Sequence, residues 1–195
     1  MYEKNVCALL AMALVPFCAL AVDGVVLINQ STVMAAGGFP YSINTAGSYK
    51  LSGNLLVPNG VQGILISASN VTLDLNGFSI TSVDNTGETF MVITPVAQKG
   101  VTVRNGTISC TNCHLIETLA ASGTVLEDLT LLSELPKTVF LGSSVIVRRV
   151  SFPGPGNRIS VTCPALVVDS LASVFLRNQA VSTACAFGSV SGAVQ

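Results

Sequence analysis

The chain has 195 residues, only 10% of them Asp, Glu, Lys or Arg, and nine basic residues against ten acids leave a formal charge of -1. No basic field exists to hold a phosphate backbone, so nucleic acid is not an expected partner. Half of the residues are hydrophobic, but beyond the N-terminus they fall in runs too short to span a bilayer, which predicts one domain with a sizeable core.

At the N-terminus, Lys4 precedes an apolar stretch over residues 6–20, and Ala19-Leu20-Ala21 leads into Val22-Asp23-Gly24. This order predicts a secretory signal peptide over residues 1–21, with small residues where a signal peptidase reads. Glu3 weakens the basic n-region and leaves an uncleaved anchor as the alternative. Phe17 is too bulky for a lipoprotein site at Cys18. Cleavage removes Cys7 and Cys18, leaving Cys110, Cys113, Cys163 and Cys185 to pair in an oxidising compartment. The expected location is secreted, periplasmic or cell-surface, with no membrane span after cleavage.

From residue 49 to 195 the chain repeats. Val101-Thr102-Val103-Arg104-Asn105, Leu126-Glu127-Asp128-Leu129, Val147-Arg148-Arg149-Val150 and Val168-Asp169-Ser170-Leu171 share an order of apolar, charged and polar residues. With Leu51, Leu73, Val103, Leu126, Val147, Val168 and Val190 as anchors, the intervals are nearly equal, except that from Leu73 to Val103, which is longer. Short apolar and polar alternations separated by Gly, Asn and Pro predict strands and turns, and the common period of about 22 predicts one strand-built coil of a parallel β-solenoid. A β-sandwich with regular strand spacing is the alternative. The long interval predicts an ordinary coil plus a loop at residues 82–88 (SVDNTGE), which has turn chemistry.

Residues 35–57 (AAGGFPYSINTAGSYKLSGNLLV), 70–80 (NVTLDLNGFSI) and 100–109 (GVTVRNGTIS) resemble the opening of bacterial proteins of the pectin-lyase-like superfamily. That resemblance implies an all-β, single-stranded right-handed parallel β-helix with an N-terminal cap over residues 22–48. The superfamily includes lyases, hydrolases and adhesins. Its lyase-like sites use a calcium-holding Asp cluster and an Arg base, and its polygalacturonase-like sites use several Asp, a His and an Arg-x-Lys. No Asp-Asp pair and no Arg-x-Lys occurs here, so no catalytic residue carries over.

The regular charged column is Asp74, Arg104, Glu127, Arg148 and Asp169, alternating in sign from coil to coil. Arg104, Glu127, Arg148 and Asp169 are thus candidate sugar-binding residues. The competing reading is a solvated salt-bridge ladder that keeps coils in register. Glu127 and Asp128, as strand neighbours, are expected on opposite faces.

Cys110-Thr111-Asn112-Cys113-His114 has the spacing of a c-type haem attachment site, with Cys110 and Cys113 as thioether partners and His114 as axial ligand. A disulfide is the plainer reading, and a zinc site would lack a fourth ligand. Cys163 and Cys185, one coil period apart, are expected at nearly the same position on adjacent coils and within bonding range. The three Asn-x-Ser/Thr sequons, at Asn29, Asn70 and Asn105, carry no weight in a chain so rich in these residues. Phe152-Pro153-Gly154-Pro155-Gly156 reads as a turn.

The functional expectation is an exported, non-catalytic surface, polysaccharide-binding or structural and adhesive at the cell envelope, with polysaccharide or another envelope component as partner and without cofactor. The alternatives are a carbohydrate-active enzyme and a haem-bearing electron-transfer protein. The last repeat, from Val190 onward, lacks any obvious cover, so the expectation is that another chain covers it, that copies pack end to end, or that the sequence is the front part of a longer protein.

Overall fold

The computed structural model describes residues 24–83, 87, 89–178 and 185–195. The expected signal peptide and most of the expected loop at 82–88 lie outside the described residues. In chain order the elements are β1 (Val25–Ile28), α1 (Gln30–Ala35), β2 (Tyr41–Ile43), β3 (Gly47–Leu51), β4 (Leu55–Val57), β5 (Ile64–Ile66), β6 (Val71–Asp74), β7 (Ser79–Ser82) and β8 (Phe90–Ile93). There follow β9 (Thr102–Cys110), β10 (His114–Ser122), β11 (Val125–Ser133), β12 (Thr138–Ser143), β13 (Val145–Phe152), β14 (Arg158–Thr162), β15 (Ala165–Val168), β16 (Leu171–Asn178), β17 (Cys185–Gly188) and β18 (Ser191–Val194). Among the described residues no helix is long and apolar enough to cross a membrane.

Every strand pairing is parallel, and the strands stack in three faces. The first face runs β1, β3, β6, then the opening halves of β9, β11 and β13, then β15 and β17. The second runs β4, β7, the later halves of β9 and β11, the end of β13, and the starts of β16 and β18. The third runs β2, β5, β8, β10, β12, β14, the rest of β16 and the end of β18. This is a parallel β-solenoid. Its interior is a stack of apolar rungs, of which Leu73, Val103, Leu126, Val147 and Val167 form one fully buried column. Each such side chain contributes roughly 1.5–3 kcal/mol of burial.

Two left-handed residues frame the first-face strand of each middle coil, and they explain the sequence repeat there. Gly100 and Asn105 have φ of 64° and 62°, Gly123 and Asp128 of 66° and 53°, and Ser144 and Arg149 of 56° and 51°. Gly, Asn and Asp tolerate this region best, which is why they recur there. The corners turn the backbone sharply while keeping its hydrogen bonds: Gly100 N–H donates to the Ser122 carbonyl and Gly123 N–H to that of Ser143.

Three details differ from the sequence reading. Register partners along the first face are Val26, Tyr49, Leu73, Val103, Leu126, Val147, Val167 and Phe187, so the coils shorten steadily after the long one that begins at Leu73. Tyr49, Val167 and Phe187 thus replace the anchors Leu51, Val168 and Val190. Leu166-Val167-Val168 is apolar throughout, and such a run does not say which residue faces inward. The surplus of the long coil is also spread over its corners: the path from Ile80 to Val92 is four positions longer than the equivalent path from Ile108 to Ile116, and the remainder lies elsewhere in the coil. Finally, β1 already pairs with β3 inside the stretch expected as a cap.

The covering element there is α1. Asn29 and Thr32 form a reciprocal capping box, with Asn29 Oδ1 accepting from Thr32 N–H at 3.0 Å and Thr32 Oγ1 accepting from Asn29 N–H at 2.8 Å. Val33 enters the core fully buried. The Gln30 amide accepts from Leu56 N–H at 3.0 Å and donates to the Leu56 carbonyl at 3.2 Å, satisfying the backbone of β4, the first strand of the second face.

Candidate functional site

The charged column forms on the first face, with one substitution. Register places Asp74, Arg104, Glu127 and Arg148 in line, but Val168 follows Arg148, because that coil is one residue shorter than expected. Asp169 instead occupies the left-handed corner, where its charge acts on Arg149.

Arg104 reaches back to Asp74 at 3.2 Å and forward to Glu127 at 3.9 Å. Glu127, only 8% exposed, also takes the Arg148 guanidinium and lies 3.9 Å from Arg149. Asp128 closes the cluster, accepting from Arg149 Nε at 2.6 Å and Nη2 at 2.9 Å. That bidentate bond holds the Asp128 carboxyl below its ordinary value and raises Arg149. Glu127 and Asp128 therefore do not point to opposite faces. The left-handed φ at Asp128 breaks strand alternation and turns both carboxylates outward to the arginines.

Asp128 and Arg149 are the members of this cluster that the sequence reading missed. The available signal was the recurrence of Asn105 and Asp128 one position after the charged column, each suited to a left-handed corner.

A second feature lies on the second face. There Thr81, Ser109 and Leu132 stand on successive strands β7, β9 and β11. Beside them runs a neutral column of Ser79, Thr107, Thr130 and Ser151. Ser109 Oγ donates to Thr81 Oγ1 at 3.2 Å, and Thr81 Oγ1 to Ser79 Oγ at 3.4 Å. The ends of these strands and the turns after them border an open cleft of about 370 Å³, bounded by Val83, Thr111, Ser133, Glu134 and Pro153. Glu134 is the one charged side chain among the described residues that line it. The lining comes as short runs at equivalent positions of β7, β9 and β11, with Pro153 from the next coil, and these runs share no residue type, so no motif announced them.

The cysteine motif sits at the edge of this cleft. Cys110 and Cys113 lie at disulfide distance, with Cα atoms 5.8 Å apart, and both are buried in the core. The His114 ring stacks on Phe90 with centroids 4.8 Å apart and tilts against Phe140 at 6.0 Å. Haem attachment needs two thiols and an imidazole presented together to one accessible cofactor. Buried sulfurs and a ring packed between two phenyl groups support the disulfide reading instead. Cys163 and Cys185 also lie at disulfide distance, with Cα atoms 5.3 Å apart. Their bridge runs diagonally, since the register partner of Cys185 is Ala165, two positions beyond Cys163.

No protein-family profile, curated protein or solved structure matches this chain.

Proposed function

We propose that this chain is an exported solenoid that works through its surface, as a polysaccharide-binding or structural and adhesive element of the cell envelope, and does not catalyse a reaction. The observation that carries this reading is how the carboxylates are placed. Asp74, Glu127 and Asp128 are all engaged by arginines, whereas Glu134 stands without a second carboxylate among the described residues of the cleft. Acid/base cleavage of a glycoside ordinarily takes two carboxyl groups across one cleft. Two cysteine pairs at disulfide distance support an oxidising, extracytoplasmic setting. The stacked parallel coils are compatible with membership of the pectin-lyase-like superfamily, which the sequence resembles.

The test is affinity electrophoresis through gels containing neutral or acidic polysaccharides, with parallel assays for new reducing ends and unsaturated products. Retardation by a polysaccharide without product is the expected result. Release of product would overturn the reading in favour of a carbohydrate-active enzyme, and free migration through every gel would remove polysaccharide as the partner.

A further inference from the structure

We infer that the cleft on the second face is the polysaccharide subsite and that it takes a neutral glycan, not a uronate. This inference rests on the polysaccharide-binding reading above and adds to it a location and a ligand class.

Three properties of the cleft point to that ligand. The first is size: about 370 Å³ lies within the range of small-ligand sites and suits one or two sugar rings. The second is the lining. Thr81, Ser109 and Ser133 donate their hydroxyl protons within the protein, to Ser79, Thr81 and the Leu135 carbonyl, and keep oxygen lone pairs that accept from sugar hydroxyls, while Leu132 and Pro153 supply apolar surface, with Leu132 42% exposed. A neutral sugar needs that mixture, because its ring carries hydroxyls at the edge and C–H groups on its faces. Equivalent positions on neighbouring strands recur at about 4.8 Å, comparable with the advance of one ring along an extended glycan.

The third property is charge. A uronate needs a cation or a cluster of oriented donors, and the described lining offers the Glu134 carboxylate instead. Like charge at such distances in a partly desolvated cleft repels. The arginines of the first face do not supply a cation to the described lining. Arg104, Arg148 and Arg149 are each committed to Asp74, Glu127 or Asp128, and none lines the cleft.

The experiment compares retention of the full exported chain on hydroxyethylcellulose and on polygalacturonate. Wild type is expected to bind the neutral polymer more tightly. Leu132→Asp, which removes apolar contact and adds a second negative charge at an exposed position, should weaken that binding about tenfold or more. Ser109→Ala should weaken it about threefold through one lost hydrogen bond. Glu134→Lys should raise retention on polygalacturonate by about threefold or more. Leu166→Ser, exposed on the first face, should bind as wild type does, and thermal unfolding of each variant checks that it is folded.

Neutral-glycan retention unchanged by Leu132→Asp and Ser109→Ala would overturn the assignment of the cleft while leaving polysaccharide binding intact. Stronger wild-type retention on polygalacturonate would overturn the ligand class alone. Retention on neither polymer, nor on any other polysaccharide tested, would overturn both the inference and the reading beneath it.

Discussion

The charged strip of the first face and the cleft of the second are built on the same coils with opposite chemistry. In the strip, Asp74, Arg104, Glu127, Arg148, Arg149 and Asp128 satisfy one another, and the most buried of them, Glu127, is gripped by Arg104 from the preceding coil and by Arg148 and Arg149 from the next. In the cleft, hydroxyls and an exposed leucine lie around Glu134, the one carboxylate among the described lining residues. The difference teaches that a regular column in a solenoid chiefly serves the stack. Identical spacing lets neighbouring coils satisfy each other and leaves little for a ligand. The cleft keeps the same register but carries hydroxyl and apolar side chains that do not pair off as the charges do.

The strip also fades along the axis. Its column continues from Arg148 into Val168 and Gly188, which carry no charge, and in those coils the Cys163–Cys185 pair provides the cross-link. Electrostatic linkage of the middle coils thus gives way to covalent linkage of the last ones.

The largest effect that would break this comparison is expected at Glu127. Glu127→Arg would gather four arginines around a position now 8% exposed, and loss of a largely buried ion-pair centre costs about 3–5 kcal/mol. Chemical denaturation in urea should show the loss shrinking as added salt shortens the Debye length. Equal losses at low and high salt would mean that the column is not held by charge.

Next comes Cys185→Ser. Opening the closed loop between Cys163 and Cys185 should lower stability by about 2–4 kcal/mol, without the salt dependence of the Glu127 variant. Non-reducing peptide mapping should first recover Cys163 linked to Cys185. Both cysteines recovered as free thiols would sink the covalent half of the comparison.

Asp128→Asn should have a smaller effect, distinguished by its pH dependence. Because Arg149 depresses the Asp128 carboxyl in the folded state, its contribution is fully present above the ordinary value of 3.8 and disappears as pH falls through the lower folded value. Thermal melts of wild type and Asp128→Asn should therefore differ at neutral pH and converge in acid, once the pH has fallen through that lowered value. A gap that persists into acid would assign the effect to the left-handed corner and not to the ion pair. The smallest change belongs to the cleft: Ser109→Ala should lower stability by only about 0.5–1 kcal/mol, because it removes a single hydrogen bond between coils, from Ser109 Oγ to Thr81 Oγ1. A loss comparable with that of Cys185→Ser would make the cleft a structural element.

Much of this molecule is legible in its residues because a solenoid repeats one local problem. Inward positions must be apolar, corners need Gly, Asn or Asp, and outward neighbours must not repel, so the coil period, the stacked parallel strands, the alternating charges and the proximity of Cys163 to Cys185 follow from spacing and chemistry alone. What only the tertiary structure decided depends on where each corner takes up or gives back a residue. A one-residue change there moved Asp169 out of the column, the left-handed turn at Asp128 put two carboxylates on one side, and the capping of β4 by Gln30 joined side chain to backbone across 26 positions. The cleft belongs to the same class. Its residues share the coil period, as Thr81, Ser109 and Leu132 do, but they follow no common residue type, and they meet because each turn, long or short, must return the chain to the strand-to-strand hydrogen bonds that hold the coils together.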